Sequence, residues 1–546
     1  MSAQFNIRRA SSRMVSVLQR ELDLPRFVAA TLVGRGIDTP KAARAFLFPS
    51  FKHDWLDPYL IPGLGGVVDA LEDAVRKGRR ILVFGDFDLD GISATTVLTR
   101  GLRELGADTV PFIPKRFEEG YGITAAALER VKTYGPDFLV TVDCGIACKA
   151  EVKLVQAAGI DVAITDHHEP TDLVPEGVPV ADPKIDATCQ SCVLAGAGVA
   201  LKLVQALGAR FGKPYLWRDF VDFATLGTVA DLMPMLGENR PLVIEGIKMM
   251  NKAPRPCVAA LLETSGAVGK PLTSTNLSFS LIPRLNAAGR MGNADLALNL
   301  LMSDDFDEAY RLATELEGLN DQRRAIEAEL SEIAKVQAAE IYHGQRALVV
   351  AGEGWHEGVK GIVASRLVGI YGVPCILLTI DGDEARGSGR SVGRVNLFAA
   401  VESTSDLLVR FGGHEAAVGI TLKTKDIPAF SKALCDYLDK LPEDDFHPLI
   451  EIDTCINLDE LTLETVGALK QVAPFGQENP TPCFLARDVL LTHCRAVGAE
   501  KNHFSCTLTN GRTSISGIMF HCTDIDMLMT TDSVVNAAFQ VEIDTW

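Results

Sequence analysis

The sequence lacks the long apolar segments that mark membrane and secreted proteins. It contains no run of about 18 apolar residues, which a membrane-spanning helix would need. Its N-terminal stretch has no apolar core of the kind found in signal peptides. Its 12 cysteines are scattered without the spacing of a disulfide framework. We therefore expect a cytoplasmic protein without membrane contact, in which the thiols stay reduced.

Basic residues are also in short supply. Lys and Arg number 53 against 71 Asp and Glu, so the formal net charge is −18, opposite in sign to that of a typical nucleic-acid-binding protein. Residues 441–546 hold sixteen acidic and five basic residues, whereas residues 1–440 have a balance of only −7. Any contact with a nucleic acid must therefore depend on a local group of basic residues.

The composition is that of a globular protein. The chain has 546 residues, of which 47% are hydrophobic and 23% charged, which suits about three or four domains. From residue 80, short apolar runs alternate with helical stretches, a pattern that predicts a parallel, doubly wound α/β sheet. The predicted strands are 81–84, 110–113, 138–142, 162–165 and 178–181, and the predicted helices between them are 92–105, 124–133 and 146–157.

Helical and β-rich segments surround this core. Residues 306–342 contain one Gly and no Pro, and their apolar residues recur at near-heptad steps. We interpret them as a long helix between two domains, with a surface helix of a single domain as the alternative. The predicted domains are an N-terminal helical segment (1–75), an α/β domain (76–305), a connecting helix (306–343), a second α/β domain (344–430) and a small C-terminal β-barrel (448–546).

Three of the predicted strands run directly into acidic or imidazole side chains. Asp86, Asp88 and Asp90 follow the first strand, Asp143 the third, and His167 the fourth. Ligands bind outside the carboxyl ends of the strands in sheets of this kind, so these side chains are expected on one rim. Capping of the following helix explains an Asp at one strand end, but it does not explain acidic or imidazole side chains at three strand ends.

Carboxylates crowded together need a cation. Oxygen ligands with one imidazole suit Mn²⁺ or Mg²⁺, and the number of acids suits a pair of ions about 3.5–4 Å apart, the arrangement used for in-line attack on phosphorus. Asp231 follows a further predicted helix and offers one more acid, which spacing alone does not assign. The glycine motifs of nucleotide-binding folds are absent.

Basic residues occur in groups close to glycine. Glycine lets the backbone approach an anion while a guanidinium binds it, so we interpret these groups as phosphate-binding loops in preference to surface ion pairs. A Gly-Gly-His turn (412–414) adds another close backbone approach. The basic groups are Lys115 with Arg116, Arg284 with Arg290, and Arg386 with Arg390.

From about residue 45 onward, the order of motifs resembles the RecJ single-stranded-DNA exonucleases of the DHH phosphoesterase superfamily. The motifs are GDFDLDG, VTVDCG, TDHHE, GTVAD, NAAGR, WHEGVKGIVASR, GSGRS, FGGH and PFGQENP. The resemblance implies that residues 344–430 form the DHH-associated domain and residues 448–546 an OB fold. It also implies metal ligands at Asp88, Asp90, Asp143, His167 and Asp231, and catalytic roles for Asp86 and His168. The substrate-binding set is Arg116, Arg284, Arg290, Ser388, Arg390, Gly412, Gly413 and His414, of which Arg116, Ser388 and Arg390 match the positions that hold a 5′-phosphate.

The resemblance further implies a 5′→3′ exonuclease acting in DNA recombination and repair with two Mn²⁺ or Mg²⁺ ions. Single-stranded-DNA-binding protein and a helicase are the implied partners. The alternatives are a superfamily phosphodiesterase acting on short oligonucleotides and a replication scaffold without catalysis. Two departures stand out. Phe87 and Leu89 replace a Tyr and a smaller residue, which the intact acids should tolerate. The sequence also stops where the OB fold of the family continues through a last strand, so we expect either a shortened gene or expressed sequence, or a barrel that closes differently.

Overall fold

The computed structural model of this chain describes residues 4–522, 524–530 and 534–544. These residues form two compact units. The large unit runs from Phe51 to Pro448, and the small unit combines residues 4–50 with residues 449–544. The stretch predicted as one helical segment (1–75) thus contributes to both units, and it contains a β-strand as well as helices.

Strands and helices are numbered here in chain order. The strands are β1 (Gln4–Ile7), β2 (Ile81–Phe84), β3 (Thr109–Phe112), β4 (Phe138–Thr141), β5 (Asp161–Thr165), β6 (Val180–Ala181), β7 (Leu348–Glu353), β8 (Cys375–Asp381), β9 (Glu384–Arg390), β10 (Leu408–His414), β11 (Ala417–Lys423), β12 (Leu449–Ile452), β13 (Thr454–Cys455), β14 (Phe484–Val497), β15 (His503–Thr509), β16 (Ser514–Met519) and β17 (Val535–Phe539). The α-helices are α1 (Ser12–Leu22), α2 (Arg26–Gly34), α3 (Pro40–Leu47), α4 (Leu64–Arg76), α5 (Leu89–Glu104), α6 (Ala125–Thr133), α7 (Lys149–Ala157), α8 (Gly196–Arg210), α9 (Val221–Ala230), α10 (Asn239–Lys252), α11 (Pro256–Thr264), α12 (Ser274–Asn276), α13 (Ile282–Arg290), α14 (Ala294–Met302), α15 (Phe306–Ile341), α16 (Lys360–Tyr371), α17 (Leu397–Glu402), α18 (Ile427–Leu438), α19 (Leu463–Gly467) and α20 (Ile525–Met529). A π-helical turn (Leu277–Leu281) joins α12 to α13.

A parallel sheet with strand order β3-β2-β4-β5-β6 lies at the centre of the large unit. Its middle strands are buried on both faces, as expected where helices cover a parallel sheet. Ile81 and Val83 pack on one side in a core shared with α4, α5, α8 and α9, and Leu82 and Phe84 pack on the other side against α6 and α7. The predicted parallel α/β sheet is therefore confirmed.

The 36-residue helix α15 belongs to two hydrophobic cores. Leu312 and Leu316 pack in the core of the first sheet, whereas Leu330 and Ala334 pack against the second sheet. A helix of this length spans about 54 Å. The predicted long connecting helix is present, although two of its apolar residues, Ile333 and Val336, are exposed.

The second sheet of the large unit has the order β10-β11-β9-β8-β7. β7 and β8 are parallel, and the other neighbours are antiparallel. Helices α15 and α16 cover one face of this sheet, and α17 and α18 cover the other. The last helix of this region continues to Leu438, beyond the predicted limit of residue 430.

The small unit joins the two ends of the chain. β1 pairs in parallel with β12, and the Arg35 guanidinium binds both carboxylate oxygens of Asp453 at 2.7 and 2.9 Å. The long strand β14 pairs with β17 near its start and with β15 near its end. Among the described residues of this unit, β16 and β17 do not pair with each other. In the described part of the chain, no helix is both long and apolar enough to cross a membrane.

Candidate metal centre

The carboxyl edge of the first sheet collects the predicted acids. β2 ends at Phe84 and leads to Asp86 and Asp88, and Asp88 caps α5 by accepting hydrogen bonds from the amides of Asp90 and Gly91. Asp143 follows β4 with a positive φ of 59°, an uncommon conformation for a residue other than glycine. Parallel strands thus deliver side chains from separate stretches of sequence to one rim.

His167 lies at the middle of this group. Its Nε2 is 3.0 Å from Asp143 Oδ1, 3.6 Å from Asp231 Oδ2 and 3.7 Å from Asp90 Oδ2. Burial, together with the neighbouring His168, lowers the pKa of His167 to about 3. The imidazole is therefore neutral at physiological pH, the form that binds metal ions.

The carboxylates repel one another in a buried setting. Burial and the neighbouring acids raise the pKa values of Asp86, Asp90 and Asp143 well above the usual carboxyl range. The same causes raise the pKa of Asp231 to about 7. Such crowding is unfavourable unless positive charge is supplied, and a divalent cation is the local charge that reverses it.

Atoms in this group fit two metal ions. Asp86 Oδ1, Asp143 Oδ1 and His167 Nε2 are buried and make no hydrogen bond. The sets of ligand atoms that lie within 4.8 Å of one another are Asp90–His167–Asp231, Asp86–Asp88–Asp143 and Asp143–His167–His168. Asp143 and His167 each belong to two of these sets. Carboxylate oxygens with an imidazole are the donor set that suits Mn²⁺ and Mg²⁺.

The start of α8 supports the carboxylates. The amides of Gly196 and Ala197 donate to Asp90 Oδ2 and Oδ1 at 2.6 and 3.0 Å. A Cβ at Gly196 would lie 2.5 Å from the Cβ of Asp143, and one at Gly227 would lie 2.3 Å from Asp90 Oδ1. Gly196 and Ala197 were missed at the level of the sequence, where their only signal is the Ala-Gly-Ala-Gly run before an apolar helix, and Gly227 entered only as the first residue of the GTVAD motif.

His168 is held at the edge of the centre by Asp166. The buried Asp166 accepts a 2.8 Å hydrogen bond from His168 Nδ1, and it also accepts the amides of His167 and Ile146. Although burial opposes it, this hydrogen bond and the charge of Asp166 raise the pKa of His168 to about 9. A partly exposed imidazole whose raised pKa favours the protonated form thus lies beside the clustered carboxylates.

Several partly buried arginines lie near the carboxylates. The Arg116 guanidinium is 4.8 Å from the ring centre of Phe87 and lies in the field of Asp86 and Asp88. Burial lowers the pKa of Arg116, and burial together with neighbouring arginines, including Arg116 and Arg390, does the same for Arg290. We call Arg116, Arg290 and Arg390 the arginine cluster. Partly buried cations that repel one another make a favourable site for an anion.

Backbone contacts hold this cluster in place. Arg290 Nη1 donates to the carbonyl of Gly358, and Arg390 Nη1 donates to Ser388 Oγ at 3.0 Å. A Cβ at Gly361 would lie 2.4 Å from Arg390 Nη2, so glycine leaves the space that the guanidinium occupies. The loop around Gly358 and the start of α16 therefore position side chains from α13 and β9.

The backbone around several predicted substrate-binding residues differs from the prediction. Loops or turns were predicted for these residues, but the structure places them on regular elements. α13 carries Arg284 and Arg290, β9 carries Arg386, Ser388 and Arg390, and the edge strand β10 carries Gly412, Gly413 and His414. Glycine-rich sequence suggested loops, but in β9 the missing side chains make room for Leu378 and Val418.

Two groups within that set stand apart from the arginine cluster. Arg284 is ion-paired with Glu317 and donates to the carbonyl of Ser280 at 2.7 Å. Gly412, Gly413 and His414 are exposed, and the amide of Ala416 donates to His414 Nδ1 within the β10–β11 hairpin. None of these residues belongs to the clustered carboxylates and imidazoles.

Comparison with known proteins assigns a family to each region. The DHH family N-terminal domain matches residues 80–228, the DHHA1 domain residues 344–440, and the RecJ OB domain residues 452–546. The single-stranded-DNA-specific exonuclease RecJ of Bacillus subtilis is 35% identical over 547 residues, covering 100% of this chain and 69% of the relative. The Escherichia coli RecJ is 32% identical over 512 residues, covering 89% and 88%.

Solved structures agree with these matches. The crystal structure of RecJ in complex with Mn²⁺ from Thermus thermophilus matches with a TM-score of 0.85 at 29% identity, covering 100% of this chain and 77% of that one. A crystal structure of exonuclease RecJ bound to manganese matches with a TM-score of 0.60 at 37% identity, covering 70% and 96%.

Proposed function

Because this chain belongs to the RecJ family of single-stranded-DNA-specific exonucleases, we propose that it releases nucleotides from the 5′ end of single-stranded DNA in a metal-dependent hydrolysis. The observation that carries this function is the meeting of Asp88, Asp143 and His167, from three strand ends, with Asp90 and Asp231. The same reaction places the enzyme in DNA recombination and repair.

Two Mn²⁺ or Mg²⁺ ions would be held by Asp88, Asp90, Asp143, His167 and Asp231, with Asp86 beside these ligands. Such ions neutralise charge on the scissile phosphate and make an attacking water more acidic. The fold holds the candidate ligand sets close to each other, because Asp143 contributes to two of them. It also supplies rigidity, because backbone amides fix the carboxylate of Asp90.

His168 would act on the phosphate or on the leaving oxygen. The hydrogen bond to Asp166 fixes its ring, and Nε2 is the nitrogen that remains for substrate. With a pKa of about 9, the ring carries a proton at neutral pH. It can therefore donate a hydrogen bond to a non-bridging oxygen, or a proton to the departing one.

The arginine cluster would bind the 5′-phosphate. A terminal phosphate carries more charge than an internal one, and two forked guanidiniums suit it. Ser388 already accepts from Arg390 and leaves its hydroxyl proton for an anion. We propose that Arg116, Ser388 and Arg390 bind this phosphate with Arg290 alongside, and that Gly412, Gly413 and His414 line the DNA path.

We propose that Arg284 positions α13, because Glu317 and the carbonyl of Ser280 already bind its guanidinium.

End-labelled substrates test the direction of digestion. We expect a 5′-phosphorylated single strand with a 5′ label to lose that label at once in Mn²⁺, whereas a 3′-labelled strand shortens progressively. A dinucleotide should be a poorer substrate. Immediate release of the 3′ label would overturn the polarity, and a preference for the dinucleotide would favour a phosphodiesterase of short oligonucleotides.

Asp143→Asn tests the metal centre. The amide keeps the shape of the side chain but removes a charge from two ligand sets, so we expect Mn²⁺ binding by calorimetry and nuclease activity to be lost together. The matched control is Asp161→Asn, because Asp161 is exposed at the start of β5, the end of that strand away from the clustered carboxylates. Nuclease activity of Asp143→Asn at the wild-type level would overturn the assignment.

The proposed partners follow from the substrate. A nuclease that acts on single strands within a chromosome needs a helicase to expose them, and the exposed strand is covered by single-stranded-DNA-binding protein. A cytoplasmic location accords with a DNA substrate of this kind. Co-purification of both partners with the full chain from cells would test this part of the proposal, and the absence of both would contradict it.

A further inference from the structure

The π-helical turn before α13 carries an unusual side chain. Phe279 is 81% exposed, more than any other large apolar side chain in the described part of the chain. It lies on the wide turn Leu277–Leu281. π-helical turns are rare, and they are frequent at functional sites. Single exposed apolar side chains are common in folded proteins, so the interest of Phe279 lies in its position on this turn.

One side of this helical segment is anchored in the core. Leu277, Leu281 and Leu285 are fully buried there, at steps of four residues. Arg284 ties an adjacent side to α15 through Glu317, and it also donates to the carbonyl of Ser280 within the π turn. The backbone that carries Phe279 is thus fixed by contacts on both sides, so the exposure of this ring belongs to the folded arrangement.

The opposite side of the segment leads to the metal centre. Phe279, Pro283, Asn286 and Arg290 follow one another at steps of four, three and four residues, which places them on one helical face. Asn286 Oδ1 accepts the amide of Leu89, the residue between Asp88 and Asp90. Arg290 belongs to the arginine cluster. Phe279 therefore lies on the face that serves the site, about 10 Å along the helix from Asn286.

We propose that Phe279 stacks on an unpaired base of the DNA strand that occupies the metal centre, a proposal that rests on the function proposed above. An aromatic ring stacks on any base, so the contact tolerates sequence. It requires a base whose face is open, as in a single strand. The contact would therefore favour single strands over duplexes at a point removed from the scissile phosphate.

Binding of a short 5′-phosphorylated single strand tests the contact. With Mn²⁺ present and hydrolysis blocked by phosphorothioate linkages at the 5′ end of the strand, fluorescence anisotropy should give about 5- to 100-fold weaker binding for Phe279→Ala than for the wild type. Phe279→Tyr should bind as the wild type does, and Phe279→Leu, which keeps apolar bulk but lacks a ring, should resemble Phe279→Ala. The matched control is Tyr215→Ala, because Tyr215 is 69% exposed on another part of the large unit.

An abasic-site scan locates the base. Removing the base that stacks on Phe279 should weaken binding of the wild type but not of Phe279→Ala, whereas removal of other bases should affect both proteins alike. Equal binding of wild type and Phe279→Ala at every position would overturn the stacking contact and leave the proposed nuclease intact. If the wild type neither binds nor digests the strand, the proposed function itself fails.

Discussion

Two glycines shape the metal centre as much as the carboxylates do. Gly196 leaves room for Asp143, and Gly227 leaves room for Asp90, at places where any Cβ would come closer than 3.0 Å. The absence of a side chain at each glycine determines where two of the proposed metal ligands can lie, in the way that residues surrounding metal ligands commonly set metal affinity.

Gly196→Ala should therefore weaken metal binding without removing a ligand. The new Cβ would lie 2.5 Å from the Cβ of Asp143, so that carboxylate has to move. We expect about 10- to 100-fold lower Mn²⁺ affinity by calorimetry. Gly318→Ala is the control, because nothing lies within 4 Å of its new Cβ on α15. It should bind Mn²⁺ normally and gain up to about 1 kcal/mol of stability. Normal Mn²⁺ affinity in Gly196→Ala would contradict this account.

The acids were predictable at this scale and the glycines were not. Acids such as Asp88 and Asp143 follow buried strands, and parallel sheets bring strand ends together whatever the remaining sequence. The need for Gly196 arises from a side chain more than fifty residues earlier, and no local pattern records such a contact. Arg284 shows the same limit, because only the fold brings Glu317 to its guanidinium.

Among the elements, α15 holds an unusual buried acid. Glu327 is 4% exposed and accepts hydrogen bonds from Arg323 on its own helix and from Arg366 on α16. The heptad pattern gave no sign of this residue, since a charged side chain normally faces solvent. These ion pairs stabilise the buried carboxylate of Glu327, which lies along α15 between the residues that pack in the first core and those that pack in the second.

Glu327→Gln should destabilise the large unit. The change leaves two guanidiniums without their counter-charge, one of them largely buried, and the loss of one partner in such a group costs about 3 kcal/mol. Urea denaturation followed by circular dichroism measures it. Glu332→Gln on the same helix removes only an exposed pair with Lys335, so it should cost no more than about 1 kcal/mol. Equal effects for the two variants would contradict the assignment.

Regular elements were predictable where periodicity was strong, as for β2, β4 and α15. The assignment failed where glycine and proline have positional uses that sequence does not reveal. Pro283 lies in the first turn of α13, where helices tolerate proline, instead of interrupting the helix. Gly389 in β9 leaves space for Val418 and Ile376 on neighbouring strands. In both places a sequence typical of loops is part of a regular element.

At the scale of the molecule, the chain closes its small unit with segments from both ends. Arg35 contacts Asp453 and Asn479, more than 400 residues later. The side chains of Arg35 and Asp453 are 6% and 4% exposed. No property of residues 1–75 indicates this pairing, because the sequence reports local propensity and not which distant segment completes a core.

Arg35→Ala should therefore destabilise the small unit selectively. It leaves the buried carboxylate of Asp453 with only the Cys483 amide at 3.1 Å and Arg8 at 4.0 Å, at a cost of about 3 kcal/mol. Limited proteolysis should cleave the small unit earlier in this variant, while Mn²⁺ binding in the large unit stays at the wild-type level. Arg9→Ala, at an exposed position of the same segment, is the control. Wild-type protease resistance in Arg35→Ala would argue against this ion pair as a support.

The helix shared by both cores of the large unit has a consequence for the products of the reaction. The proposed metal ligands extend from the first sheet, the proposed phosphate-binding residues Ser388 and Arg390 extend from the second, and α15 packs into both. Under this proposal, the distance from the bound 5′-phosphate to the point of cleavage is a fixed dimension of the protein, independent of the bases between them. A fixed distance predicts that each hydrolytic step releases a nucleotide product of the same size from any sequence.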